Sequence, residues 1–174
     1  FAVFVQALVQ SPALPVGQAP LLTEAEWVQL QGWHGKTEAY PDSCLHQLVE
    51  AQAQVNPAAI AVVDGEHQLT YGELNAQANR LARYLREQRL VENETLVGIC
   101  LSRSSRLIVA ILAVLKAGGA YVPLDPDYPQ ERLALMQADA ELGTVLTLQS
   151  QAADWLPLKS RVALDSAAVQ DSLA

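Results

Sequence analysis

The sequence predicts an α/β fold, doubly wound around a mainly parallel sheet flanked by helices and preceded by a partly helical linker. Three observations carry that expectation. From Leu96 onward, short apolar β runs alternate with helical patterns, which builds a parallel sheet with right-handed crossovers. Runs such as residues 145–148 are apolar on both faces, as strands covered by helices must be. Ahead of residue 42, prolines and glycines break the chain twice, leaving room for only short helices.

In chain order, residues 1–10 place Phe4, Val5, Leu8 and Val9 on one helical face and read as the last turns of a helix. Pro12, Pro15, Gly17 and Pro20 then forbid regular structure. A helix restarts at Thr23. Thr23 and Glu26 have capping-box spacing, Leu22 and Trp27 are placed as its hydrophobic staple, and Gly32 marks its end. A second break covers residues 35–41.

Asp42 is the expected cap of a helix with Leu45, Leu48, Val49 and Ala53 on its apolar face, stopped by Asn56-Pro57. Residues 60–63 are a short strand, Asp64-Gly65 a hairpin turn, and the return strand reaches Leu69. A long helix follows from Tyr71 to about Gln88, with Leu74, Ala78, Leu81 and Leu85 as one buried stripe. Residues 96–101 are a strand. Ser102 or Ser104 is the expected cap of the next helix, and Lys116 with Gly118-Gly119 its end. Strands over 120–124, 143–148 and 161–164 and a helix over 131–140 complete the pattern.

Composition narrows the function. At 174 residues the chain suits one domain, or one domain plus a linker. Hydrophobic residues make up 51% and charged residues 17%, enough apolar material for a core and too little charge for wholesale disorder. The net charge of -8 argues against a nucleic-acid partner, which needs clustered Lys and Arg to neutralise phosphates. Arg80, Arg83, Arg86 and Arg89 sit at helical spacing among polar neighbours and read as a solvated helix face. Cys44 and Cys100 lie far apart with no evident secretory leader, which fits free thiols in a reducing, cytoplasmic setting. The apolar stretch 107–115 is closed by Lys116, well short of the roughly 20 residues that span a bilayer, so no membrane role is expected.

Two runs stand out. In Leu69-Thr70-Tyr71-Gly72-Glu73-Leu74, the Thr70 hydroxyl can accept from the Glu73 amide while the Glu73 carboxylate returns to the Thr70 amide, and Leu69 packs on Leu74. That is a helix start, and nothing about Tyr71 makes it chemical. The second run spans 115–129: Lys116, Gly118 and Gly119 end a helix, Tyr121 and Pro123 belong to the next strand, and Asp125, Pro126, Asp127, Tyr128 and Pro129 form the loop after it. This loop lies at the carboxyl end of a parallel strand, where open α/β sheets place ligands. Asp125 or Asp127 could contact a metal or ligand there; the simpler reading is a proline-stiffened turn whose aspartates cap the helix beginning near Pro129. No P-loop, three-glycine dinucleotide fingerprint, metal-ligand spacing or nucleophile elbow is present in the sequence. No catalytic, cofactor-binding or metal residue is therefore assigned.

Together the two runs, in this order and about forty residues apart, resemble the first two core motifs of the adenylation domains of nonribosomal peptide synthetases. Residues 115–129 match that family nearly residue for residue. Residues 20–26, with the later Trp33, are similar to the linker that joins a condensation domain to an adenylation domain. The resemblance implies three segments: 1–20 as the end of a condensation domain and linker, 21–40 as the condensation–adenylation linker, and 41–174 as the incomplete N-terminal portion of an adenylate-forming fold. It implies a parent enzyme that uses Mg-ATP to turn an amino acid into aminoacyl-AMP and loads it on the phosphopantetheine thiol of a carrier domain. Its partners would be the rest of the adenylation domain and the neighbouring condensation and carrier domains. The family's phosphate loop, magnesium contacts, specificity pocket and lysine come later than these residues, so the chain alone is expected to be inactive and, with an uncovered sheet edge, to self-associate. Two other readings stand beside it: a non-catalytic interdomain scaffold, and the N-terminal part of an acyl- or aryl-CoA ligase.

Overall fold

The computed structural model describes residues 1–35, 38–151 and 161–173. It falls into two compact units, Phe1–Asp42 and Ser43–Ala174.

The first unit holds helix α1 (Ala2–Gln10), a single 3-10 turn (Val16–Gln18) and helix α2 (Glu24–Trp33). The α2 capping box forms as the spacing requires: Thr23 N–H donates to Glu26 Oε2 at 2.7 Å and Glu26 N–H to Thr23 Oγ1 at 3.2 Å. Gly32 does not end this helix. It continues through Trp33, and His34 leaves in an extended conformation rather than the left-handed turn a glycine would supply. The break expected over 35–41 includes 36 and 37, which lie outside the described residues.

The second unit begins with α3 (Leu45–Val55), the strands β1 (Ile60–Asp64) and β2 (His67–Thr70), and α4 (Tyr71–Glu87). Asp42 does not cap α3. Cys44 is the cap residue, and Gln47 reaches back to accept its N–H at 2.8 Å. Nor is the expected apolar face wholly buried: Val49 and Ala53 turn inward, whereas Leu45 and Leu48 stay 60% and 45% exposed. The β1–β2 hairpin turns at Gly65-Glu66, one residue later than read, because Asp64 still pairs with His67. Gly65 takes φ +61 at the first central position, as a type II′ turn demands. The stripe Leu74, Ala78, Leu81 and Leu85 of α4 is buried, as its spacing predicts.

The rest is β3 (Leu96–Ile99), α5 (Ser105–Ala117), β4 (Ala120–Pro123), α6 (Gln130–Asp139), β5 (Thr144–Thr147), β6 (Arg161–Ala163) and α7 (Ala167–Leu173). The four strands form one parallel sheet in the order β4-β3-β5-β6. The chain steps outward from β3 to β4 through α5 and returns past β3 to β5 through α6. Strand alternation sorts the side chains onto two faces. Val97, Ile99 and Leu146 pack with α4 and α5 on one, while Cys100 and Val145 pack with Leu133 of α6 on the other. The sheet is therefore doubly wound, and its order reverses between β3 and β5, where such folds open a crevice at the strand carboxyl ends.

Candidate functional site

The run 115–129 is a helix that stops, turns and becomes a parallel strand within three residues. Gly118 adopts φ +94, the left-handed conformation that closes helices. Its N–H donates to Leu115 O at 3.1 Å and the Gly119 N–H to Val114 O at 3.0 Å, the paired bonds of a Schellman motif. Gly119 is required for space. A Cβ there would lie 2.8 Å from Val91 Cγ1 and 2.9 Å from Thr95 O. The chain then enters β4, with Ala120 N–H donating to Thr95 O at 2.9 Å.

Pro123 is the last paired residue of β4: it sits opposite Ile99, and the Leu124 N–H closes the ladder on Ile99 O at 2.9 Å. Inward donors come from residues 120 and 124, so the missing donor of Pro123 falls on the outward side of an edge strand.

The aspartates do not cap α6. Pro129 holds the cap position with no side-chain hydrogen bond. Asp125 Oδ1 instead accepts the Asp127 N–H at 3.0 Å, and Tyr128 N–H donates to Asp125 O at 3.0 Å, so Asp125 closes its own turn around Pro126. The Tyr128 ring carries the Arg132 guanidinium 4.0 Å from its centroid. A cleft of about 530 Å³ opens at the carboxyl ends of β3 and β4, with Leu101 and Leu124 in its floor and Arg103, Asp125 and Asp127 among its lining residues. Cys100 adjoins this region, 1% exposed, its thiol pushed up from 9.0 to about 11 by burial and secondarily by the charge of Asp125. Among the described residues, no group of three or more His, Cys, Asp or Glu is arranged to hold a metal.

The other run starts α4. Thr70 N–H donates to Glu73 Oε2 at 2.9 Å and Glu73 N–H to Thr70 Oγ1 at 3.2 Å. These bonds, the backbone one first, hold the Glu73 carboxyl below its ordinary value. Tyr71 and Gly72 donate their N–H groups to Ala59 O and Pro57 O, at 2.9 and 3.0 Å, so every early donor of the helix has a partner. Leu74 is buried beneath them.

Two features escape sequence reading. Ser104 stands at the cap position of α5, yet its hydroxyl donates backward to Ser102 O; the cap is Asp64, whose carboxylate accepts the Ser105 N–H. Lys116, read only as part of the helix end, has a side chain 3% exposed, paired with Glu50 and donating to Asn75 Oδ1 at 2.8 Å. Nothing local marks either partnership, since the partners lie 41 to 66 residues away.

Residues 49–173 match the family described as AMP-binding enzyme. A linear gramicidin synthase of Brevibacillus parabrevis is 47% identical over 157 residues, 89% of this chain and 2% of that protein. Bacitracin synthase 3 of Bacillus licheniformis is 41% identical over 147 residues, 84% of this chain and 2% of that protein. The chain thus spans about 2% of the length of these curated relatives. A crystal structure of the nonribosomal peptide synthetase FmoA3, in its alpha-methyl-L-serine-AMP bound form, superposes with a TM-score of 0.78 at 28% identity, covering 95% of this chain and 20% of that one. O-succinylbenzoate coenzyme A synthetase from Bacillus subtilis shares the fold at a TM-score of 0.63 and 21% identity, over 72% of this chain and 32% of that one.

Proposed function

From a chain that belongs to the AMP-binding enzyme family, we propose a part of a nonribosomal peptide synthetase module that activates an amino acid with Mg-ATP to aminoacyl-AMP and pyrophosphate, then loads it on a carrier-domain phosphopantetheine thiol. The observation that carries the reading is the junction at 115–129: its glycines, edge proline and self-closed aspartate turn fit the resemblance to the adenylation motif, in a chain 41 to 47% identical to gramicidin and bacitracin synthases. In this reading Thr70, Tyr71, Glu73, Leu74 and the run from Lys116 to Pro129 are scaffold, which sets the strand ends against which the reacting groups of the same domain are held.

Residues 1–20 would then be a condensation-domain end with linker, 21–40 the condensation–adenylation linker, and 41–174 the adenylation portion. The exposure of Leu21, Trp27, Val28 and Trp33 supports a linker that meets a neighbouring domain. Two free thiols, and the lack among the described residues of any helix long and apolar enough to cross a membrane, fit a cytoplasmic synthetase.

Amino-acid-dependent exchange of labelled pyrophosphate into ATP tests the proposal. The parent polypeptide should exchange with one or a few amino acids, and the 174-residue chain alone should stay at background. A parent that exchanges only with carboxylic acids lacking an α-amino group would shift the reading to a CoA ligase.

A further inference from the structure

Away from the strand ends, residues of α3, α4 and α5 line an open-mouthed pocket of about 250 Å³, with His46, Glu50, Asn79, Arg83, Arg86 and Lys116 around it. Its residues fall where helix periodicity puts one face: His46 and Glu50 are one turn apart on α3, and Asn79, Arg83 and Arg86 follow one stripe of α4. Ala82, buried on that stripe, leaves the floor open where a longer side chain would fill it.

The charges do not balance within the cavity. Among the described residues Glu50 is the one carboxylate lining it, and Lys116 engages it. Arg83 and Arg86 are exposed and have no ion-pair partner among the described residues. Lys116 uses two of its three N–H donors, on Glu50 and Asn75, and keeps one spare. In a chain of net charge -8, this concentration of cations is local and cannot be a by-product of a basic composition.

We propose that this cavity is an oxyanion site for a phosphate or pyrophosphate group, gripped by the Arg83 and Arg86 guanidinium forks at its mouth, with the spare Lys116 proton at its base. Guanidinium groups match phosphate oxygens in pairs, and hydrogen bonds to charged groups are the stronger kind. The volume is below the roughly 300–1,000 Å³ of sites for drug-sized ligands, so the cavity selects a small ion or the phosphoryl end of a larger molecule. The inference goes beyond the adenylation reading and does not depend on it, since none of the cavity's residues stands at the strand carboxyl ends.

Isothermal titration of the 174-residue chain, in buffer with physiological chloride, tests it with three probes: inorganic phosphate, inorganic pyrophosphate and pantetheine 4′-phosphate. At least one should bind saturably at one site. The R83Q/R86Q double variant should bind about tenfold or more weakly, and Arg80→Gln, on the same helix but outside the cavity, should bind as the parent does. Both arginines are exposed, so the double variant should keep the parent's circular dichroism spectrum. Tightest binding of pyrophosphate assigns the site to a free ion, and tightest binding of pantetheine 4′-phosphate to a carried ester. Lack of saturable binding by all three probes, or equal binding by R83Q/R86Q, overturns the proposal, while the exchange assay would stand unaffected.

Discussion

The carboxylate of Asp64 accepts the backbone N–H of Ser105 at 2.8 Å, tying the last residue of a hairpin strand to the first turn of a helix 41 residues later. A negative charge at that end also meets the positive pole of α5. The small antiparallel hairpin is thereby fastened to the helix that links β3 to β4.

Asp64→Ala should therefore lower stability by about 1 kcal/mol, the usual worth of a helix cap, with Asp64→Asn losing less. Ser104→Ala, which removes the hydroxyl from the nominal cap residue, should stay within about 0.5 kcal/mol of the parent. Urea unfolding at constant slope measures both. A larger loss for Ser104→Ala than for Asp64→Ala would contradict this assignment of the cap.

The two glycines of the junction should respond differently. Gly118→Ala forces a side chain into φ +94, at a cost of about 1–2 kcal/mol, although its Cβ would meet only an ordinary contact, Asn93 Oδ1 at 3.5 Å. Gly119→Ala drives a Cβ against the Thr95 carbonyl, which is backbone and cannot swing aside, and should cost about 2–3 kcal/mol. Thermal unfolding of the pair should rank Gly119→Ala as the worse.

Lys116 and Glu50 join α5 to α3. Glu50→Gln leaves a buried ammonium without its counter-charge and should cost about 1–3 kcal/mol, less than for a wholly buried pair because the Glu50 side chain is 37% exposed. Lys116→Met replaces the buried charge with an apolar chain and should cost less. A double-mutant cycle should show coupling; additive losses would mean that the two side chains act independently.

Two groups give opposite pH dependences. The folded-state Glu73 carboxyl lies below its ordinary 4.5, so its contribution to stability is present above that value and is lost as pH falls through the lower folded one. The Cys100 thiol is raised from 9.0 to about 11, so its contribution is complete below 9.0 and is lost as pH rises toward 11. At about pH 8 a thiol reagent should modify Cys44, which is exposed, and leave Cys100 intact until the chain unfolds. Two cysteines reacting at one rate in the native chain would refute the burial argument.

What sequence spacing could reveal was whatever is settled within one helical turn or one strand pair. The boxes at Thr23–Glu26 and Thr70–Glu73, the α4 stripe and the Gly118-Gly119 stop depend on neighbours three to five residues away, and their residue types name their partners. The cap from Asp64, the burial of Lys116 and the exposure of Leu45 and Leu48 depend on how α3, α4, α5 and the hairpin meet, which no local pattern encodes. Asp125 shows the intermediate case: an aspartate beside a helix start reads as a cap, but the proline after it favours a turn that the carboxylate closes on itself.

Pro123 has a consequence for the sheet's open margin. A foreign polypeptide that tried to add itself along the outside of β4 would find Tyr121 offering an N–H and, two residues on, a pyrrolidine ring offering none. Among the described residues β4 is the border strand of the parallel sheet, and there it is poorly templated for cross-β growth, a protection carried by the same residue that completes its register with Ile99.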